Sequence, residues 1–252
     1  MLKKVILGMK CLAVIAAVAV ISYGVWQLGQ INGEYEEADL EYEILAEQYT
    51  QDVLIEHPSV SPNDTGEAKY CLSVNFDELQ KINPDVVGWI YISDSKVNYP
   101  ILKSSDNSDY LTKTFEGKEN SSGSIFMDCR NMSDFSNDNT IIYGHNMKNG
   151  SMFHILNSYA EEAFYKEGRQ IIITTKNWQK SFHIISAHTA STSSQCYTLS
   201  FENLIDYEAY LKAEAAYSQY ETESYEVTKK TITLSTCRGS SGKRFVLLLQ
   251  ED

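Results

Sequence analysis

Thr231-Ile232-Thr233-Leu234-Ser235-Thr236-Cys237-Arg238, a short Gly239-Ser240-Ser241-Gly242 turn, and Arg244-Phe245-Val246-Leu247-Leu248-Leu249 form the stretch around which the chain is organised. A β-branched run brings a cysteine to the end of one strand, and a second apolar run opens on an arginine. Two neighbouring strands of this kind hold a thiol and a guanidinium close together. A nearby cation favours thiolate over thiol, and the thiolate is the nucleophile. Such a nucleophile needs a base. Asn139-Thr140-Ile141-Ile142-Tyr143-Gly144-His145-Asn146 supplies the candidate, a further strand that ends on a histidine.

Outward from this pair the composition narrows the class. The chain has 252 residues, 43% of them hydrophobic, and a formal charge of −13. That size suits one domain plus an appendage. The acidic balance argues against nucleic-acid binding, which needs a basic footprint, and is read as a solubility feature. The five cysteines, Cys11, Cys71, Cys129, Cys196 and Cys237, form no C-x-x-C pair and no Cys/His group at zinc spacing. Neither a disulfide framework nor a metal is expected. Cys71, Cys129 and Cys196 read as small hydrophobes.

The N-terminus is apolar from Val5 to Leu28 apart from Lys10, and Cys11 to Leu28 carries no charge. That is close to the ~20 residues a bilayer helix needs. Lys3, Lys4 and Lys10 precede the span, while Glu34, Glu36, Glu37 and Asp39 follow it. The positive-inside rule then puts the N-terminus in the cytoplasm and the rest outside. A cleaved signal peptide is the competing reading; no A-x-A site closes the apolar run, which favours an uncleaved anchor.

The expected division is 1–30 as anchor, 31–69 as a stalk or packed helix plus linker, and 70–252 as the main domain. Leu40, Ile44, Leu45 and Tyr49 recur at helical spacing, and Pro58, Pro62 and Gly66 punctuate the linker. Phe76, Leu79 and Ile82 predict one face of a short helix stopped by Pro84. Strand-like runs follow at 88–93, 97–102, 123–127, 140–143, 170–175 and 181–188. Short strands between polar turns predict a mostly antiparallel β-barrel. Two helices are expected within it, one over Ser151–Glu167 and one over Phe201–Tyr220 with a Leu204, Tyr207, Leu211, Ala215 stripe. His183 and His188, at odd spacing on one strand, are expected on opposite faces.

The Thr-Leu-Ser-Thr-Cys run at 233–237, Tyr-Gly-His-Asn at 143–146 and Arg244 together resemble class B sortases. The resemblance extends through Asn83-Pro84-Asp85-Val86-Val87-Gly88-Trp89-Ile90, Asp106-Asn107-Ser108-Asp109-Tyr110-Leu111 and Gly123-Ser124-Ile125-Phe126-Met127-Asp128, covering roughly residues 75 to 250. It implies a closed antiparallel or mixed β-barrel of about eight strands with N-terminal helices and a long helix in the loop before the cysteine strand. It also implies a membrane-anchored transpeptidase acting by two acyl transfers. In that chemistry Cys237 attacks after Thr in a sorting signal, His145 protonates the leaving amine, and Arg244 steadies the oxyanion or the substrate backbone. Arg238 is the competing arginine. Asn107, Leu111, Tyr143 and Ser235 match positions that line the family's sorting-signal groove; turn capping for Asn107, and core packing for Leu111 and Tyr143, are the plainer alternatives.

Some class B members carry an acidic residue two places after the cysteine. Gly239 stands there in this chain, so a Cys-His-Asp triad is not supported. No metal or nucleotide motif and no carboxylate cluster for calcium is present, and no cofactor is expected. The implied partners are sorting-signal-bearing surface proteins, an amine acceptor from peptidoglycan or a pilin, and the membrane, with the enzyme itself a monomer. The alternatives are another Cys-His cell-wall peptidase or amidase, or a non-catalytic surface interaction module. The peptidase folds usually place the cysteine ahead of the histidine and on a helix. The module gives no reason for Cys, His and Arg to converge.

Overall fold

In the computed structural model the described residues are 2–55, 69–238 and 242–252; the side chains of 2–9, 11–13, 52–55, 69–70, 237 and 238 are not among them. The expected linker around Pro58, Pro62 and Gly66, His57 within it, and the Gly239–Ser241 turn therefore lie outside the described residues.

Helix α1 (Leu2–Tyr49) is followed by a strand pair, β1 (Thr50–Ile55) and β2 (Lys69–Val74). Its apolar first part is long enough to cross a membrane, and residues 14–32 stand exposed. Its last turns pack on the rest of the protein through Ala38, Tyr42 and Leu45. Leu40 and Ile44 do not belong to that face: they are 57% and 40% exposed. Tyr42 and Leu45, three apart, set the buried stripe, and Leu40 and Ile44 fall beside it rather than on it.

Short helix α2 (Phe76–Ile82) is capped by Asn75, whose side chain accepts the Glu78 N–H at 3.3 Å. It buries Phe76 and Leu79 but leaves Ile82 exposed. Asn83 is extended, as a residue before proline tends to be, and its amide donates to the Phe115 carbonyl at 2.8 Å.

The remaining strands are β3 (Val86–Ile92), β4 (Asn98–Leu102), β5 (Ile125–Met127), β6 (Asn139–Gly144), β7 (Ile171–Thr174), β8 (Gln179–Ala190), β9 (Thr231–Arg238) and β10 (Lys243–Glu251). They close a barrel in the order β10-β8-β7-β3-β4-β5-β6-β9. Two pairs, β4–β5 and β6–β9, are parallel, so the barrel is mixed. Closure removes the sheet edges that would otherwise remain unpaired. Phe245, Leu247 and Leu249 of β10 enter the main core, whereas Val246 and Leu248 pack outward. The run is continuously apolar because both of its faces are covered.

What covers the outer face is α4 (Leu204–Tyr217), started by Asn203, whose side chain accepts the Ile205 and Asp206 N–H groups. Its buried stripe is Tyr207, Tyr210, Leu211 and Glu214; Leu204 is exposed and Ala215 only half-buried. The other expected helix is different in kind. His154–Ala160 is 3₁₀, and only Glu162–Tyr165 (α3) is α-helical. Phe153, Leu156 and Tyr159 are buried at a spacing of three, the 3₁₀ repeat, and Glu161 is extended between the two pieces.

His183 and His188 lie on the same, outer face rather than on opposite ones. Leu248 pairs with Ser186 and Leu249 with Ile184, leaving Ile185 as the extra residue of a bulge. That residue shifts the alternation by one, so Ile184 and Ala187 both reach the core.

Candidate active site

Strands β6 and β9 run side by side in the same direction, with Tyr143 beside Ser235 and Gly144 beside Thr236. The next residue on each strand is His145 and Cys237. On its other side β9 pairs with β10, where Arg244 is the Cα partner of Cys237. Three adjacent strands thus bring His145, Cys237 and Arg244 to one end of the barrel.

Gly144 allows the close packing that this end requires. A Cβ at that position would stand 2.4 Å from Ile125 Cδ1 and 2.7 Å from Phe153 Cγ. His145 Nε2 donates to the Leu111 carbonyl at 2.8 Å, which fixes that nitrogen as the protonated one. The carbonyl is itself held in a 3₁₀ turn, Asp109–Leu111. Gly123, at φ +58°, lies against this turn, where a Cβ would meet the Tyr110 and Leu111 carbonyl oxygens at 2.6 and 2.7 Å.

An open groove of about 700 Å³ runs over this end, lined in part by His145 and Arg244. All four residues expected to contact substrate also line it: Asn107, Leu111, Tyr143 and Ser235. Their local bonds differ. Asn107 Oδ1 accepts the Cys129 N–H at 2.7 Å, so this side chain ties one loop to another. Leu111 is 40% exposed and is not core. Tyr143 donates its hydroxyl to Asp128 Oδ2 at 2.8 Å, and Ser235 Oγ lies 2.9 Å from the Tyr197 hydroxyl.

Sequence reasoning missed several groove residues. Asp128, with no exposed surface, is gripped by Arg130 through Nε and Nη2, both at 2.8 Å. Burial alone would raise the Asp128 carboxyl, but the Arg130 and Tyr143 hydrogen bonds outweigh it and hold the group below the ordinary carboxylate value. The Asp-x-Arg spacing directly after the Gly123–Asp128 motif was the available signal. Tyr197, which stacks on Tyr143 with centroids 6.3 Å apart, comes from the segment between β8 and α4, where no pattern marks it. Thr236 Oγ1 is buried at the groove with no hydrogen-bond partner among the described residues.

His154 and His183 have structural partners. His154 Nδ1 meets Asn146 Oδ1 at 2.8 Å, and His183 lies between Asp252 and the Ser224 carbonyl. Cys71, Cys129 and Cys196 are free thiols. Cys196 has no exposed surface, and burial pushes its thiol up to about 12, which leaves almost no thiolate at neutral pH.

Comparison with known proteins agrees with this arrangement. The sortase domain family matches residues 90–250. Sortase B of Staphylococcus aureus is 36% identical over 177 residues, spanning 69% of this chain and 72% of that protein. A solved S. aureus sortase B–substrate complex superposes with a TM-score of 0.66 at 35% identity, covering 70% of this chain and 84% of the other. Sortase B from B. anthracis in complex with AAEK1 gives a TM-score of 0.74 at 28% identity, covering 88% and 99%. A closed mixed barrel whose cysteine strand is flanked by a histidine strand and an arginine strand, matched over most of its length by sortase B proteins, places this chain in the sortase family, class B, as a cysteine transpeptidase.

Proposed function

We propose that this chain cleaves a C-terminal sorting signal after Thr and joins the new acyl end to an amine. The observation that carries the residue assignment is the strand register, in which the strand of Cys237 lies between β6, which His145 follows, and β10, which carries Arg244 opposite Cys237. In the first transfer the Cys237 sulfur bonds to the Thr carbonyl carbon, the C–N bond breaks, and His145 gives a proton to the leaving amine. In the second, an amine of a peptidoglycan cross-bridge or a pilin lysine bonds to that carbon, its proton passes to His145, and the C–S bond breaks to return the Cys237 thiolate. Arg244 donates hydrogen bonds to the substrate backbone or to the oxyanion that forms between these steps. Leu111, Tyr143 and Ser235 contact the sorting signal in the groove, and Asn107 shapes its rim.

Residues 1–30 serve as an uncleaved membrane anchor with the N-terminus cytoplasmic, 31–69 connect it, and 70–252 form the catalytic domain on the cell-wall side. The excess of lysine before the span and of acid after it supports that orientation. Substrates bearing their own C-terminal anchors would emerge beside such an enzyme. The test is mass spectrometry of the protein incubated with a library of Thr-containing sorting peptides, with and without an amine. The expected product is a thioester on Cys237 that disappears when the amine is added. An acyl adduct on any other cysteine, or peptide cleavage undiminished in Cys237→Ala, would overturn the assignment.

A further inference from the structure

Behind the groove wall, on the outer side of β8, three side chains from three separate elements converge. His188 of β8, Cys196 of the Gln195–Tyr197 turn and Glu214 of α4 are 4%, 0% and 0% exposed. One ligand atom of each lies within 4.8 Å of the other two. His188 Nε2 and both Glu214 oxygens have no hydrogen-bond partner among the described residues. Nε2 and Oε2 are 3.4 Å apart, at the limit of a useful hydrogen bond. Gln195 lies near enough to ease the Glu214 carboxyl downward, yet no bond of normal geometry reaches either oxygen.

The histidine is already oriented. Ser186 Oγ donates to the Glu214 carbonyl at 2.6 Å, so its lone pair accepts from His188 Nδ1 at 3.0 Å. The proton is therefore on Nδ1, and Nε2 is left as a lone pair 3.4 Å from Glu214 Oε2. A partner on the distal nitrogen is also the arrangement that orients metal-ligating histidines.

We propose that His188, Cys196 and Glu214 bind a zinc-class divalent cation. With ligand bonds of about 2.0–2.3 Å, tetrahedral zinc sets its nitrogen and oxygen ligands about 3.4 Å apart and its sulfur about 3.6 Å from either. The observed N···O separation of 3.4 Å matches the first of these edges. Imidazole plus thiolate selects zinc-class ions over magnesium or calcium. On binding, the Cys196 S–H bond breaks, its proton and the one shared by His188 and Glu214 leave to solvent, and bonds from the metal to sulfur, nitrogen and carboxylate oxygen form. Thiolate and carboxylate then neutralise the two positive charges, as a buried site requires. The fourth position falls to a water. The site joins α4 and β8 to the turn that carries Tyr197, and so braces one wall of the groove. It takes no part in acyl transfer.

The test uses the full chain in detergent with Cys237→Ala, which removes the proposed nucleophile's thiol as a rival ligand. After stripping with chelator, the protein is titrated with Co²⁺ and then with Zn²⁺. The expected result is one equivalent bound, with a thiolate-to-cobalt charge-transfer band that is lost in Cys196→Ser and in Glu214→Gln. One equivalent of zinc should also raise the Tm of the parent and leave that of Glu214→Gln unchanged. Glu214→Gln preserves shape, so it decides the matter if Cys196→Ser fails to fold. No stoichiometric uptake, or uptake that survives both substitutions, would overturn the site and leave His188 and Glu214 as a pair sharing a proton.

Discussion

Arg244 stands across the strand pair from Cys237 and lines the groove, so its substitution separates two roles for a cation at this place. A guanidinium that clamps the substrate backbone or the oxyanion does so as a planar fork, which lysine cannot reproduce. Arg244→Lys and Arg244→Ala should then both lose about 100-fold or more in kcat/KM, the scale of removing one oxyanion donor. Rescue by lysine would mean instead that a point charge beside the thiolate suffices. Arg238→Ala should retain most activity, with circular dichroism as the fold control. Asp128 carries the pH prediction. Its folded carboxyl is held below the ordinary value, so its contribution to stability is complete above about pH 4 and is lost as pH falls through the depressed folded value. The Tm gap between the parent and Asp128→Asn should therefore be widest near neutrality and shrink in acid. A gap that stays constant down to pH 3 would show that Arg130 does not hold this carboxylate ionised.

At the scale of elements, β6 ends where it does because Gly144 lets Phe153 of the following loop close over the barrel. In Gly144→Ala the new Cβ meets the ring near its root, which cannot swing away as a flexible tip can. A loss of about 1–3 kcal/mol is expected from overpacking, measured by urea denaturation. Activity should fall further than stability, because the displaced strand end carries His145. A variant of parental activity would mean that the histidine is positioned by its Leu111 contact alone. Two element predictions from periodicity differ from the structure for specific reasons. The Ser151–Glu167 segment has apolar residues at a spacing of three, which a helical pattern of three and four absorbs without distinguishing 3₁₀ from α. His183 and His188 were assigned to opposite faces because a bulge has no signature in an alternating strand.

At the scale of the molecule, α1 has two fates along one continuous helix. Residues 14–32 are exposed and largely apolar, while from Glu34 onward the helix engages the barrel. Asn120 Nδ2 donates to the Glu34 carbonyl at 2.8 Å, and Tyr42 donates its hydroxyl to the Gly123 carbonyl at 2.8 Å. A chain beginning at Asn32 should be soluble and active on a peptide in trans. One beginning at Thr50 should lose about 3 kcal/mol or more, since Tyr42 and Leu45 each contribute about 1.5–3 kcal/mol on burial. Equal denaturation midpoints for the two chains would show that the packed turns add nothing.

Much of this protein was determined by local sequence. Apolar stripes at helical spacing, β-branched runs, a pre-proline stop and an uninterrupted apolar span are short-range signals, and they located the barrel strands, α2, α4 and the apolar helix. The strand endings on His145 and Cys237 were legible for the same reason. Only the tertiary structure decided that β6 and β9 run parallel and in register, which is what sets those two endings side by side. It alone supplied the second face of β10, the Asp128–Arg130–Tyr143 cluster and the meeting of His188, Cys196 and Glu214. Each of these joins residues across a crossover or a bulge, and pairing over such separations is selected by the burial of the whole barrel rather than by any neighbour in the chain.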